Sequence, residues 1–225
     1  MIFVRRIKYK LTKLLNNVVD FFFDLYWRVD TYGVIKPHDL DPGQNFLAKM
    51  LSRPYQQSRY LLFHKTISSI TIDSSSFSFI DMGSGKGKAL IMACRYDFPA
   101  VIGVEFSREL CDIASKNILA MSYKSITQQV SVECLNIVDF NFPRGDMLIY
   151  CFNPFDESVM THVVEKLFKQ KMFRPKDQIL FIYVNPVYDF LFKNHPNIKL
   201  INCIGHWNRN FRADIYEFIG RIESV

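Results

Sequence analysis

With 225 residues, the chain has room for one large domain or one domain with an appendage, and not for two full enzyme domains. Hydrophobic residues make up 49% and charged residues 22%, which excludes fibrous, low-complexity and disordered classes. Lys+Arg 28 against Asp+Glu 22 leaves a net charge of +6, concentrated between Met1 and Val19, where Arg5, Arg6, Lys8, Lys10 and Lys13 occur with no acid.

That basic end reads as an amphipathic helix. Val4, Ile7, Leu11, Leu14, Val18, Phe22 and Leu25 recur at steps of three or four, predicting a single apolar stripe. The stripe is expected to lie on the protein's own core. A membrane surface is the second reading, since the basic residues would attract anionic lipid or nucleic acid. Asp20 interrupts the run from Leu14 to Phe23, so no segment reaches the roughly 18 to 20 uncharged residues that span a bilayer. Basic residues continue to Lys13 and no small-residue cleavage site follows, which argues against a signal peptide. A loop is expected from Thr31 to Gly43, where Gly33, Pro37, Asp39, Asp41, Pro42 and Gly43 cluster, followed by a helix around Gln44–Ser52 or Gln57–Ser69.

From Phe77 onward the rhythm changes. Strands are predicted over Ser78–Met82, Val101–Glu105, Val130–Leu135, Met147–Phe152 and Ile179–Val184, with helices over Lys86–Tyr96, Glu109–Met121 and Ser158–Lys169. This alternation implies right-handed crossovers and a mostly parallel sheet covered on both faces. Leu200–Trp207 and Asp214–Ile219, joined by a short polar connection, predict an antiparallel hairpin at one edge. The organisation that follows is a helical extension with a covering loop over residues 1–70 and an α/β domain over 71–225.

The chemistry concentrates in Phe79-Ile80-Asp81-Met82-Gly83-Ser84-Gly85-Lys86-Gly87-Lys88, a strand running into a glycine turn that opens a helix. Glycine allows a sharp bend and close approach of backbone to ligand, and the helix start offers free amides. A P-loop is excluded, because Met82 and Ile80 stand where its first glycine belongs and Ala89 follows Lys88. The dinucleotide pattern GxGxxG fits Gly83 and Gly85 but puts Lys88 at the third glycine, so an NAD(P)-dependent oxidoreductase is a weaker alternative.

Asp81-Met82-Gly83-Ser84-Gly85-Lys86-Gly87 resembles the first motif of class I S-adenosylmethionine (SAM) dependent methyltransferases, an acid, any residue, then Gly-x-Gly-x-Gly. Val101-Ile102-Gly103-Val104-Glu105 resembles the family's second strand, ending in an acid 20 residues beyond Gly85 that suits the ribose hydroxyls. Val132-Glu133-Cys134-Leu135-Asn136-Ile137 lies where the third strand ends in an acid reaching the adenine amine. Here Asn136 replaces that acid, with Asp139 as the other candidate. The resemblance implies a Rossmann-like, seven-stranded methyltransferase fold, SAM as cofactor, and cofactor contacts from Asp81, Gly83, Ser84, Gly85, Gly87, Glu105, Asn136, Ile137 and Asn153.

Asp146 to Phe155 resembles the fourth-strand motif where the family's catalytic loop begins. Asn153-Pro154-Phe155 is similar to the Asn/Asp-Pro-Pro-aromatic loop of amino-group methyltransferases, lacking the second proline. The resemblance implies that Asn153 and a proline carbonyl accept amine hydrogens while Phe155 stacks on the target, so the acceptor is read as nitrogen rather than oxygen or carbon. Asn185-Pro186 is a second turn of this kind, which punctuation alone explains, and Tyr183 or Tyr188 would line the same pocket. Tyr55-Gln56-Gln57-Ser58 sits where distant relatives, including non-SET histone-lysine methyltransferases, close a loop over the cofactor. Lys86 and Lys88 are expected to be solvated or dipole-neutral residues of a helix start. A SAM-binding module without catalysis is the non-enzymatic alternative. The acceptor itself, whether protein, nucleic acid or small molecule, is not identified.

Cys94, Cys111, Cys134, Cys151 and Cys203 form no CxxC pair, and His38, His64, His162, His195 and His206 share no ligand spacing, so no metal is expected. Reduced cysteines suit a cytoplasmic protein, with the basic helix as its one candidate for peripheral membrane contact.

Overall fold

The computed structural model describes residues 2–36, 55–121, 126–127, 129–205, 208 and 211–220. In the N-terminal arm, β1 (Val34–Ile35) pairs antiparallel with β2 (Tyr55–Gln56), so the start of the expected loop is a short ribbon, while its residues 37–43 lie outside the described residues. Seven further strands form one sheet: β3 (Phe77–Met82), β4 (Ala100–Glu105), β5 (Gln129–Cys134), β6 (Asp146–Cys151), β7 (Ile179–Val184), β8 (Ile198–Ile204) and β9 (Ala213–Phe218). Their order is β5-β4-β3-β6-β7-β9-β8, with the first five running parallel and β9 antiparallel between β7 and β8. The predicted parallel sheet and edge hairpin are thus both present. The sheet order changes direction at β3, so a crevice is expected outside the carboxyl ends of β3 and its neighbours.

Period-two alternation explains how the strands fill two cores. In β7, Leu180, Ile182 and Val184 join one cluster while Phe181 and Tyr183 join the other. The first face is covered by the helices α1 (Ile2–Trp27), α2 (Tyr60–Ile67), α3 (Lys88–Ala93) and the end of α4 (Arg108–Met121). The second is covered by α5 (Glu157–Phe173) through Met160, Val163, Val164 and Leu167, and by α6 (Phe190–Lys193) through Phe192. The short α6 carries no sequence signal long enough to predict it. Helix α3 begins two residues later than expected, because Gly87 sits in the left-handed region at φ +83° as its N-cap. The helix expected over Gln57–Ser69 is α2, whereas the Gln44–Ser52 alternative lies outside the described residues.

Helix α1 corrects the sequence reading. Of the stripe expected to pack on the core, Ile7, Leu11, Leu14, Val18, Phe22 and Leu25 are all exposed, and the side chain of Val4 lies outside the described residues. The face that packs is the one opposite, carrying Asn16, Asp20, Phe23 and Trp27, which are buried. Asp20 decides the orientation. Its carboxylate accepts from Lys88 Nζ at 2.9 Å and from the Tyr60 amide at 3.1 Å, with both charged side chains essentially inaccessible to water. Lys88 is therefore not solvated, and neither is Lys86, whose Nζ lies 2.9 Å from Asp30 Oδ1 and 3.3 Å from the Tyr32 carbonyl oxygen. Burial depresses the Lys88 ammonium below its ordinary range, and the charge of Asp20 only partly restores it.

Removing one partner of such a pair leaves the other as an uncompensated buried charge. Lys88→Met is expected to destabilise the fold by about 3 to 5 kcal/mol. A joint Asp20→Leu/Lys88→Met exchange should recover most of that loss, and a double-mutant cycle in urea measures both effects.

Candidate functional site

The glycine turn alternates handedness. Gly83, Gly85 and Gly87 take φ of +75°, +53° and +83°, which any side chain would strain. The amides of Gly83 and Ser84 donate to the Val104 carbonyl oxygen at 2.8 and 3.1 Å, and the Gly87 amide donates to that of Ser84 at 2.9 Å, tying the turn to β4. Close approach is the second requirement. A Cβ on Gly83 would lie 2.4 Å from Pro154, and one on Gly85 would lie 2.3 Å from the Tyr55 ring. Pro154 and Tyr55 therefore rest directly on the turn.

Two carboxylates face this turn. Asp81 stands near the end of β3, in register with Gly103 on one side and Tyr150 on the other. Glu105 ends β4, with Oε2 accepting from the Gly85 amide and Oε1 from the Ser107 amide, both at 2.9 Å. Burial pushes the Asp81 carboxyl well above its usual range, and the Glu105 charge adds to the effect. Glu105 is also raised by burial, against the opposing pull of the backbone amides at Ser107, Gly85 and Phe106. Neither acid has an ion-pair partner among the described residues, because Lys86 and Lys88 are committed to Asp30 and Asp20. The site sets two buried carboxyls beside backbone amides, in surroundings that resist their ionisation.

The N-terminal arm closes one side of it. Tyr55 donates its hydroxyl to the Thr31 carbonyl oxygen at 2.6 Å, and its own ionisation is pushed up by burial and then by Asp24, Asp30, Asp81 and Glu105. Asp24 accepts from the amides of Thr31 and Tyr32 at 2.7 and 2.8 Å, fixing the turn that carries Asp30 to Lys86. Asn117 of α4 locks the same junction, accepting from the Asp30 amide and donating to the carbonyl oxygens of Asp30 and Lys86, each at 2.9 Å. Asp20, Asp24, Asp30 and Asn117 were not among the sequence candidates. The available signal was the spacing Asn16, Asp20, Phe23, Trp27, a second helical stripe whose acid matches a lysine of the glycine turn.

Just beyond the ends of β6 and β7, Asn153 and Asn185 both take left-handed backbone conformations, at φ +43° and +51°. Asn153 is buried, and its Oδ1 accepts from the Tyr183 hydroxyl at 2.8 Å, while that hydroxyl oxygen accepts from the Tyr188 amide at 3.3 Å. Among the described residues, one Oδ1 lone pair and the two Nδ2 hydrogens of Asn153 have no side-chain partner. Phe155 is buried in the second core cluster, so a stacking role for its ring would require it to leave that core. Asn136 lies just beyond β5, its Oδ1 accepting from the Val138 amide at 3.3 Å, and the Ile137 side chain packs in the second core. Beside Asn185 opens a cleft of about 480 Å³, lined by Lys13, Gln56, Gln57, Arg59 and Phe152 among others.

No protein-family model and no curated protein matches the chain. Solved structures do. A dimethyladenosine transferase from Plasmodium falciparum superposes with TM-score 0.52 at 14% identity, covering 73% of this chain and 63% of that one. A ribosomal protein L11 methylase from Lactobacillus delbrueckii subsp. bulgaricus superposes with TM-score 0.53 at 12% identity, covering 81% of this chain and 84% of that one. Neither is described as a histone methyltransferase, and that narrower likeness gains no support. The chain has the class I methyltransferase fold, shared with these two structures.

Proposed function

We propose that the chain is a SAM-dependent methyltransferase acting on a nitrogen acceptor. The observation that carries this reading is the pair Asp81 and Glu105, buried together at the glycine turn without a compensating cation among the described residues. Such a pair fits a ligand that brings positive charge, as a sulfonium does. Glu105 can accept hydroxyl hydrogens while keeping its two amide donors, because a carboxylate has about four lone-pair sites. The left-handed glycines contribute no side chain of their own to the turn, so Tyr55 and Pro154, which rest on it, are the groups a ligand approaching its backbone must displace.

Bound there, SAM supplies a methyl carbon already activated toward displacement. What remains for the protein is to hold the acceptor in line and to exclude water. Asn153 suits that positioning role, since it stands just past the end of β6, anchored by Tyr183, with amide hydrogen-bonding capacity left over. The cleft lined by Lys13, Arg59 and Gln57 adjoins the same strand ends through Phe152 and Asn185, and is where an acceptor would lie.

Calorimetry with SAM, S-adenosylhomocysteine and NAD(H), followed by radiolabel transfer into fractionated lysate, tests the proposal. Binding of NAD(H) without SAM overturns it in favour of an oxidoreductase, and binding without transfer favours a non-catalytic module. Glu105→Ala should weaken both SAM and S-adenosylhomocysteine, by about 10 to 100-fold per hydrogen bond lost to the carboxylate, and SAM the more, since it also loses a counter-charge for its sulfonium.

Asn153→Ala should leave SAM affinity within about threefold and lower turnover about 10 to 100-fold. Because Asn153 has a left-handed backbone, Asn153→Gly is the control that removes the amide without strain. Unchanged turnover in both variants refutes the positioning role.

The raised carboxyls also set a pH dependence. Between the ordinary carboxylate range and the raised values, the folded ligand-free chain binds more protons than the unfolded chain, so its stability rises as pH falls through the folded values. Affinity for a cation runs the other way, full above those values and declining below them. SAM affinity should therefore fall on acidification more steeply than that of S-adenosylhomocysteine, which lacks the sulfonium charge, and Asp81→Asn should flatten both the melting and the SAM profiles.

A further inference from the structure

We propose that the outward face of α1 docks the protein in the plane of an anionic lipid bilayer. The inference rests on the helix alone and not on the methyltransferase reading. Leu11, Leu14, Leu15, Phe21, Phe22 and Leu25 are each between 55% and 64% exposed, and successive positions advance by about 100° around the axis, so they share one arc. Such a contiguous apolar face is unusual on a soluble surface. It lies opposite the packed face of Asn16, Asp20, Phe23 and Trp27, so the helix cannot roll to cover it without breaking the buried Asp20–Lys88 pair.

Charge names the partner. Arg6, Lys8, Lys10 and Lys13 are exposed along the first half of the helix. Its only acids, Asp20 and Asp24, are turned inward to Lys88 and to the Thr31–Tyr32 turn. An apolar arc flanked by lysines and arginines with no outward acid is complementary to acyl chains beneath anionic headgroups. Two copies of this face set against each other would oppose like charges. No helix among the described residues is long and apolar enough to cross a membrane, so the helix lies on the surface rather than spanning it. Beside the arc, Phe22, Tyr26, Trp27, Tyr60 and Tyr96 line an aromatic cleft of about 620 Å³ with Arg95 at its margin. Amphipathic rings of this kind favour the headgroup level.

Co-sedimentation of the full chain with vesicles tests the proposal. Vesicles of phosphatidylcholine mixed with phosphatidylglycerol should bind the protein, and phosphatidylcholine alone should bind it at least about tenfold less, with binding to the mixed vesicles weakening as salt is raised. Leu14→Ser/Phe22→Ser should reduce partitioning at least about tenfold at an unchanged melting temperature, since neither side chain is buried. Arg6→Glu/Lys10→Glu should do the same for the charge component. The proposal is overturned if the folded chain ignores anionic vesicles at low salt, or if neutral and anionic vesicles bind it equally. It is also overturned if Leu14→Ser/Phe22→Ser instead dissolves a concentration-dependent dimer, or if the chain is retained by nucleic acid and not by vesicles.

Discussion

Two lysines of the glycine turn, Lys86 and Lys88, are held by Asp30 and Asp20 of the N-terminal arm, and the rest of the molecule is arranged around those contacts. Drawn to the arm, they leave Asp81 and Glu105 without a counter-charge among the described residues where β3 and β4 end. The arm is thereby made part of the site, though it contributes no strand to the seven-stranded sheet. Burying ion pairs carries a desolvation cost, so their contribution is more to specificity of docking than to net stability.

The same contacts dictate which way α1 faces. A helix with an apolar stripe ordinarily turns it inward, since covering each half-exposed leucine would stabilise by about 1 kcal/mol. Here the opposite face carries an acid that would be left facing solvent while Lys88 stayed buried and unpaired. Leaving an ammonium buried without its partner costs about 3 to 5 kcal/mol, and Phe23 and Trp27 on the same face add apolar burial of their own. These terms outweigh the stripe and turn it toward solvent.

At the other side of the turn, Pro154 presses on Gly83 while Asn153 is fastened to Tyr183. The glycines let the end of β6 and the β1–β2 pair converge on the turn from both sides. That convergence explains why Phe155 is drawn inward with its neighbour, although an isolated Asn-Pro-Phe segment would suggest an exposed ring.

The local sequence determined the central strands β3, β4, β6 and β7, because strands buried on both faces need nearly continuous apolar runs and the helices between them need a different period. It also determined the glycine turn and the two acids, since only those residue types tolerate that backbone and supply that charge. Tertiary structure alone decided the environment of Lys86 and Lys88, the face on which α1 packs, and the anchoring of Asn153. Each of these depends on a partner tens of residues away, Asp20 for Lys88 or Tyr183 for Asn153, and a long-range charge or hydrogen bond leaves no periodic trace in the chain. Hydrophobic periodicity marks that a helix has two faces; which of them is buried is settled by the strongest unpaired charge that burial must satisfy.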